Sequence, residues 1–257
     1  MLDMAVPAFF PTALSLRAVV AALLLALATP SLAQEDTLGN DFDDEEFFEF
    51  DEEGAGEAPD IADPLEGFNR AMFGFNDKAY RYVLKPVAKG LRILPVPVRT
   101  SFRNFFSNLG TPVSAISALL QGDLGNTGSE VGRFGVNTTL GILGLFDPAT
   151  GMGLVQDDED MGQTFGRWGV GTGPYIVLPL LGSSSLRDTV GFGTNAALNP
   201  INAKLDTSEI IALQLLRVEV ALSLDQDTYE ALFDGALDPY IFFRSAWTQN
   251  RAGNVAR

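Results

Sequence analysis

Neither cysteine nor histidine occurs anywhere in the 257 residues. The first absence removes thiol nucleophiles, disulfides and iron–sulfur ligation; the second removes a Ser-His-Asp triad and any His-ligated zinc site. A catalytic base would have to be Asp, Glu, Lys or Tyr, so the chain is not expected to be an enzyme, nor to hold a cofactor or metal. The lack of cysteine leaves the redox compartment open, since an exported bacterial protein can do without disulfides. Long apolar runs are missing too. The one near the N-terminus covers about a dozen residues, short of the ~20 that a membrane span needs.

Hydrophobic residues make up 46% of the chain, nineteen of them Phe, and the mean hydropathy is +0.14. That is rich for a soluble protein and poor for a polytopic membrane protein. Twenty-six Gly and fourteen Pro point to many turns and short elements. In "RAVVAALLLALATPSLAQED" one Arg17 precedes the apolar run, and Ser31-Leu32-Ala33 has the small residues of a cleavage site. This order is that of a secretory signal over 1–33.

The net charge of −16 is unevenly spread. Residues 35–66 carry fifteen acids and no Lys or Arg, whereas 67–257 is within one unit of neutral. Self-repulsion and few aliphatic residues make 34–62 an acidic, disordered tether in expectation, with Phe47, Phe48 and Phe50 embedded in it. The folded body is expected over 63–251, followed by a tail over 252–257.

Within that body, Asp63-Pro64-Leu65-Glu66 has the form of a helix start, with Asp63 as cap. Phe68, Met72, Phe75, Ala79 and Tyr82 recur at spacings of three and four, an amphipathic helix that Pro86 should end. Three further helices are expected: a short one in "KPVAKGLRILP", one from Pro97 to Gly110 and one from a Thr111 cap to Gly122. Glycines 128, 132, 135, 141 and 144 suggest a segment packed against another backbone. "TSEIIALQLLRVEVALSLD" reads as a helix from Thr207 buried on most sides, and two more helices meet at Asp238-Pro239. The fold class is mostly α, a compact ring-like bundle of short amphipathic helices around a channel, with one irregular apolar segment over 168–182.

That segment, "WGVGTGPYIVLPLLGSSSLRD", has glycine alternating at 169, 171 and 173 but no Lys-Ser/Thr after it. No phosphate-binding helix start follows, which excludes a nucleotide loop. A strand over "YIVL" would be bracketed by Pro174 and Pro179 and confined to an edge. The expectation is a turn-rich apolar stretch beside a ligand or bilayer, its glycines adopting conformations a Cβ would obstruct. "GSSSLRD" then caps a new helix through Ser184 or Ser185.

"DPLEGFNRAMFGFNDKAYRYVLKPVAKG", "NFFSNLGTPVSAISALLQGD", "GRFGVNTTLGILGLFDPA", "MGQTFGRWGVGTGPYIVLPLLGSSSLRD" and "LDPYIFFRSAWTQNR", in this order over residues 63–251, resemble the MlaA/VacJ family. The resemblance implies an α-helical, ring-like protein in the inner leaflet of a Gram-negative outer membrane. Such a protein draws mislocalised phospholipid from the outer leaflet through a central channel and passes it to a periplasmic MlaC-like carrier, in company with a trimeric porin. It implies no nucleic-acid partner. Family members carry a lipobox Cys that this chain lacks, so covalent anchoring is not expected. On this basis Phe68, Met72, Phe73 and Phe75 should face the membrane or gate the channel, with Asn69 and Asn76 as polar points. Trp168, Gly169, Gly171, Gly173, Pro174 and Tyr175 should line its mouth, and Arg133, Arg167 and Arg187 are candidates for phosphate, against the more ordinary expectation of structural pairing with Asp147, Asp160 or Asp188. A structural envelope protein and a phospholipase remain as alternatives.

The signal-like order and the missing thiol generate a first prediction. The mature protein should begin at Gln34 and carry no acyl chain, which intact mass of envelope-extracted protein decides. A mass that retains the apolar segment would turn the protein into one anchored by its N-terminus.

Overall fold

A computed structural model describes residues 61–225 and 227–257, so the signal-like segment and nearly all of the acidic segment lie outside the described residues. The described body is mostly helical. Helix α1 spans Glu66–Ala79, a π-type turn covers Tyr80–Leu84, and α2 runs over Lys85–Leu91. Helix α3 spans Val96–Gln121, α4 Leu124–Thr139, the single-turn α5 Pro148–Gly151 and α6 Met161–Arg167. Strands β1 (Tyr175–Leu178) and β2 (Gly182–Ser185) follow, then α7 over Leu186–Leu198. Helices α8 (Thr207–Leu224), α9 (Thr228–Gly235) and α10 (Pro239–Ala256) complete the body. Packing begins at Ile61, two residues ahead of Asp63, and α10 runs through position 251 without a break.

Several helix ends follow local chemistry. Gly122 takes φ +82° and closes α3, Ser185 accepts the amide of Asp188 at the start of α7, and Asp238 accepts that of Ile241 at the start of α10. Other expectations fail for reasons of packing. Asp63 caps nothing: its carboxylate accepts from Asn69, Tyr240 and Arg244, tying α1 to α10, while Leu65 stands at the helix start without a side-chain cap. Pro86 does not end the first helical run, because the wide π-type turn before it makes room for the ring and α2 continues.

Pro112 sits inside one 26-residue helix, where two were expected. An interior proline costs ~3 kcal/mol. Here Thr111, Val113, Ser114, Ala115, Ser117 and Ala118 are all buried, with α4 and α6 among the elements packed on α3, and that burial outweighs the cost. Helix α8 is apolar all round but not enclosed. Only Glu219, Val220 and Ser223 are buried, and Ile211, Leu215 and Val218 face outward. The close approach expected along these glycines is met past the end of α4, where a Cβ on Gly141 would lie 2.4 Å from Phe146 O and one on Gly144 2.4 Å from the Asn108 side chain, and not within α4 itself. A Cβ on Gly128 or Gly135 would meet nothing within 4 Å, whereas one on Gly191 of α7 would lie 2.4 Å from the amide nitrogen of Gly162 in α6.

The segment read as irregular is a β-hairpin, with Tyr175 opposite Ser185 and Leu178 opposite Gly182. Two strands leave both edges open, and an open edge needs hydrogen-bond partners. Helix α1 supplies them to β1. The Asn69 amide donates to Tyr175 O at 3.0 Å and accepts from Val177 N at 2.9 Å. Two turns on, Asn76 donates to Leu178 O at 2.9 Å and accepts from Leu180 N at 2.7 Å. The carbonyl of Ala62 takes the remaining amide, that of Tyr175. Above this contact Ile61, Tyr175, Val177 and Tyr240 form the main apolar core, joined by Met72, Phe73 and Trp247.

Asn69→Leu should therefore strand two buried backbone groups and lose on the order of 3 kcal/mol of stability, at ~1–3 kcal/mol per unsatisfied group. Asn76→Leu, whose partners reach the surface, should lose about 1 kcal/mol. Denaturant unfolding followed by circular dichroism measures both, and equal small losses would remove the hairpin's dependence on Asn69.

Candidate functional site

A cavity of about 660 Å³ lies in the described body. Helix α3 contributes Arg103, Asn104, Phe106 and Ser107; α7 adds Phe192, Asn195 and Ala196, with Asn199 and Asn202 just beyond. Helix α8 adds Gln214, Arg217 and Ala221, and the loop before α6 supplies Gln156, Asp158, Glu159 and Asp160. The wall is thus mixed: amides and charges beside phenylalanine rings.

The acidic loop is held in place at several points. Glu130 of α4, fully buried, accepts the amide of Asp157 at 3.0 Å. Ser114 of α3 donates to Asp157 O and accepts from the amide of Glu159. Asp160 starts α6 as half of a capping box with Gln163, and its carboxylate takes both terminal nitrogens of Arg251 at 2.7 Å. The same guanidinium reaches Asp188, which Arg187 and Ser185 also bond. One ion cluster thereby joins the starts of α6 and α7 to α10.

These placements set the acidities. Burial lifts the carboxyl of Glu130 above the usual range, though the Asp157 amide opposes the lift. Burial likewise raises Glu159, against the bond from Gln121, and raises Glu219. Burial also acts on Asp147, but hydrogen bonds from Thr150, Arg133 and Asn137 outweigh it and hold that carboxyl at about 2. At Asp188 burial is outweighed by Arg251, then Arg187 and Ser185, and the carboxyl lies below its ordinary value.

Residues singled out from the sequence distribute differently. Phe68 and Phe75 are half exposed on α1, while Met72 and Phe73 turn inward, Phe73 meeting the rings of Phe233, Tyr240 and Phe243. Asn69 and Asn76 are occupied by the hairpin and do not line the cavity. Tyr175 is wholly enclosed, its hydroxyl bonded to Ser183. Trp168 is exposed, with its indole N–H on Leu120 O. Gly169 and Gly173 take φ of +86° and +71°, as the glycine argument requires; Gly171 has no such angle, and a Cβ there would meet nothing within 4 Å. The carbonyl of Pro174 receives the amide of Leu186 at the start of α7.

The arginines divide as well. Arg133 is buried and committed to Asp147, Thr150, Gln156 and Leu154 O. Arg187 is buried on Asp188, at a second cavity of about 430 Å³ that Thr172 and Gly173 also line. Arg167 is exposed at the end of α6. Arg103 and Arg217, the cations of the larger cavity, were not singled out. Neither sits in a motif, and only the approach of α3 to α8 brings them to one space. The spacing of Asn195, Asn199 and Asn202 was the sequence signal available for that wall.

A family model described as MlaA lipoprotein matches residues 61–254. An intermembrane phospholipid transport system lipoprotein, MlaA, of Shigella flexneri is 38% identical over 196 residues, 73% of this chain and 76% of that one. The protein of the same description from Escherichia coli K12 is 36% identical over 195 residues, again 73% and 76% of the two chains. A solved structure from work on the maintenance of bacterial outer membrane lipid asymmetry aligns with a TM-score of 0.69 at 36% identity, covering 76% of this chain and 99% of that one.

The buried carboxyls give a signed pH dependence. Glu130, Glu159 and Glu219 titrate above their unfolded values, so the stability they favour is full in acid and lost as pH rises through the folded values. Asp147 and Asp188 titrate below theirs, so their contribution is present at neutral pH and lost as pH falls through the folded values. The melting temperature should rise as pH falls from the folded glutamate values toward the ordinary carboxylate range, then drop as pH falls on through the aspartate values toward about 2. Glu130→Gln should flatten the rise. A steady fall from pH 7 downward would contradict the burial of these glutamates.

Proposed function

Because the chain belongs to the MlaA family, we propose that it serves intermembrane phospholipid transport at the outer membrane, maintaining the lipid asymmetry of that membrane. It takes mislocalised phospholipid out of the outer leaflet and releases it on the periplasmic side to an MlaC-like carrier. A trimeric porin is its membrane partner. The protein acts by passage and not by covalent chemistry, since the cavity wall combines charged and amide groups with aromatic rings and needs no nucleophile. The N-terminal segment is a cleaved export signal, and the mature chain is retained without acylation, no thiol being present to carry a lipid.

One observation supports this reading above the others. The body buries Asn69, Glu130, Arg133, Gln163 and Arg187 while exposing Phe68, Phe75, Tyr82, Val83, Ile93 and Trp168. A soluble fold does the reverse, and exposed apolar surface on this scale marks a lipid or protein interface. No described helix is long and apolar enough to cross a membrane, so the contact is one of lying in a leaflet. A purely structural envelope protein would share the apolar surface but need no polar-walled cavity, and a phospholipase would need a nucleophile with a base beside it as well.

Phospholipid should co-purify with the protein after mild extraction and appear in its mass spectrum, with no lysolipid formed on incubation. High salt should leave the protein on the membrane, because apolar burial is not screened. Phe75→Asp should release it, a carboxylate being costly among acyl chains. Cells lacking the protein should accumulate outer-leaflet phospholipid. Recovery of the wild type, lipid-free, in the soluble periplasm would refute the proposal.

A further inference from the structure

The cavity walls hold charges of both signs that the protein leaves unmatched. Arg103 on α3 and Arg217 on α8 line it, and among the described residues neither makes an ion pair or a side-chain hydrogen bond. The neighbouring loop shows the same pattern with the opposite sign. Asp147 is matched by Arg133 and Asp160 by Arg251, but among the described residues the side chain of Asp158 is met only by the amide of Gln156, at 3.0 and 3.1 Å, and that of Glu159 by the Gln121 amide with no ion pair. Two cations and two carboxylates thus share one space without closing on each other. Arg103, Arg217 and Asp158 stand exposed along this open cavity and Glu159 is buried in its wall, so a ligand carrying both signs meets groups held by water and not by each other.

Resting on the transport reading above, we propose that this cavity recognises a zwitterionic aminophospholipid headgroup: Arg103 and Arg217 take the phosphate, and Asp158 and Glu159 take the primary ammonium. A guanidinium pairs with phosphate oxygens through a two-pronged fork, and an ammonium offers three N–H donors to carboxylates. Phosphatidylglycerol satisfies only the arginines and leaves an uncompensated acidic wall beside an anionic lipid. Phosphatidylethanolamine satisfies both walls at once. Phe106 and Phe192, in the same cavity, offer the apolar surface against which the attached glycerol and chain ends can lie.

The test uses the full chain incubated with vesicles of equal phosphatidylethanolamine and phosphatidylglycerol, re-isolated, and its bound lipid quantified by mass spectrometry. The bound ratio should favour phosphatidylethanolamine about fivefold over the vesicles, equivalent to about 1 kcal/mol. In Asp158→Asn/Glu159→Gln, where the carboxamides keep the oxygens that accept from Gln156 and Gln121, the ratio should return to that of the vesicles. In Arg103→Gln/Arg217→Gln the total bound phosphorus should fall about fivefold with the ratio less changed. Circular dichroism confirms that each variant is folded. Wild-type protein carrying lipid at the vesicle ratio, or enrichment that survives loss of both carboxylates, overturns the headgroup assignment and leaves transport intact. Wild-type protein that carries no phospholipid overturns both.

Discussion

The amide of Asn69, set between α1 and the free edge of β1, is the contact on which the rest of the body depends. A two-stranded hairpin is marginal in water and exposes its outer backbone groups. Asn69 closes that edge by presenting to β1 the donor and acceptor that a third strand would have offered, and Asn76 repeats the device two turns later. With its edge closed the hairpin can be enclosed, and Tyr175 and Val177 become core residues against Phe73 and Tyr240.

From there the order propagates by short covalent steps. Strand β2 ends in Ser185, which starts α7, and α7 immediately delivers Arg187 and Asp188 to the ion cluster with Arg251 and Asp160. Asp160 in turn starts α6, and the contact of Gly162 with Gly191 brings α6 and α7 together backbone to backbone. The acidic loop just ahead of α6 is fixed by the same step, since Glu130 and Ser114 hold its other end. The cavity wall is therefore set by a polar framework. In a body that exposes many large apolar side chains, buried polar groups help give the interior its directions.

Legibility in the sequence followed the range of the interactions. Gly122, Ser185 and Asp238 act within three or four residues of themselves, and their roles were readable from neighbours. The family resemblance and the helical class were equally legible, being carried by long stretches in fixed order. What could not be read was anything decided across the fold. Pro112 looks like a helix start until the elements packed on α3 bury its flanks, and Asn69 looks like a polar point on a membrane- or channel-facing helix until a hairpin arrives beside it. The alternating glycines looked equivalent, yet only 169 and 173 adopt the left-handed backbone. Arg103 and Arg217, 114 positions apart in "RNFFSNLG" and "LLRVEV", share a cavity through packing alone.

The proposed membrane retention without an acyl chain is a question of magnitude. A single myristoyl chain gives only marginal, reversible binding, at ~0.8 kcal/mol per buried methylene. Moving a large apolar side chain from water into hydrocarbon is worth roughly 1.5–3 kcal/mol. Phe68, Phe75 and Tyr82 recur every seven residues along α1 and its π-type extension, all at least 48% exposed, and Val83 and Val87 continue the apolar surface. At half that value the five side chains together contribute about 4–8 kcal/mol, the order of the marginal binding that one chain gives. An acyl anchor tethers a terminus and leaves the body free to turn, whereas side chains spread over the fold set its depth and its orientation in the leaflet. A protein that must hold a cavity at a constant height relative to lipid headgroups gains more from the second arrangement, and that gain does not require a cysteine.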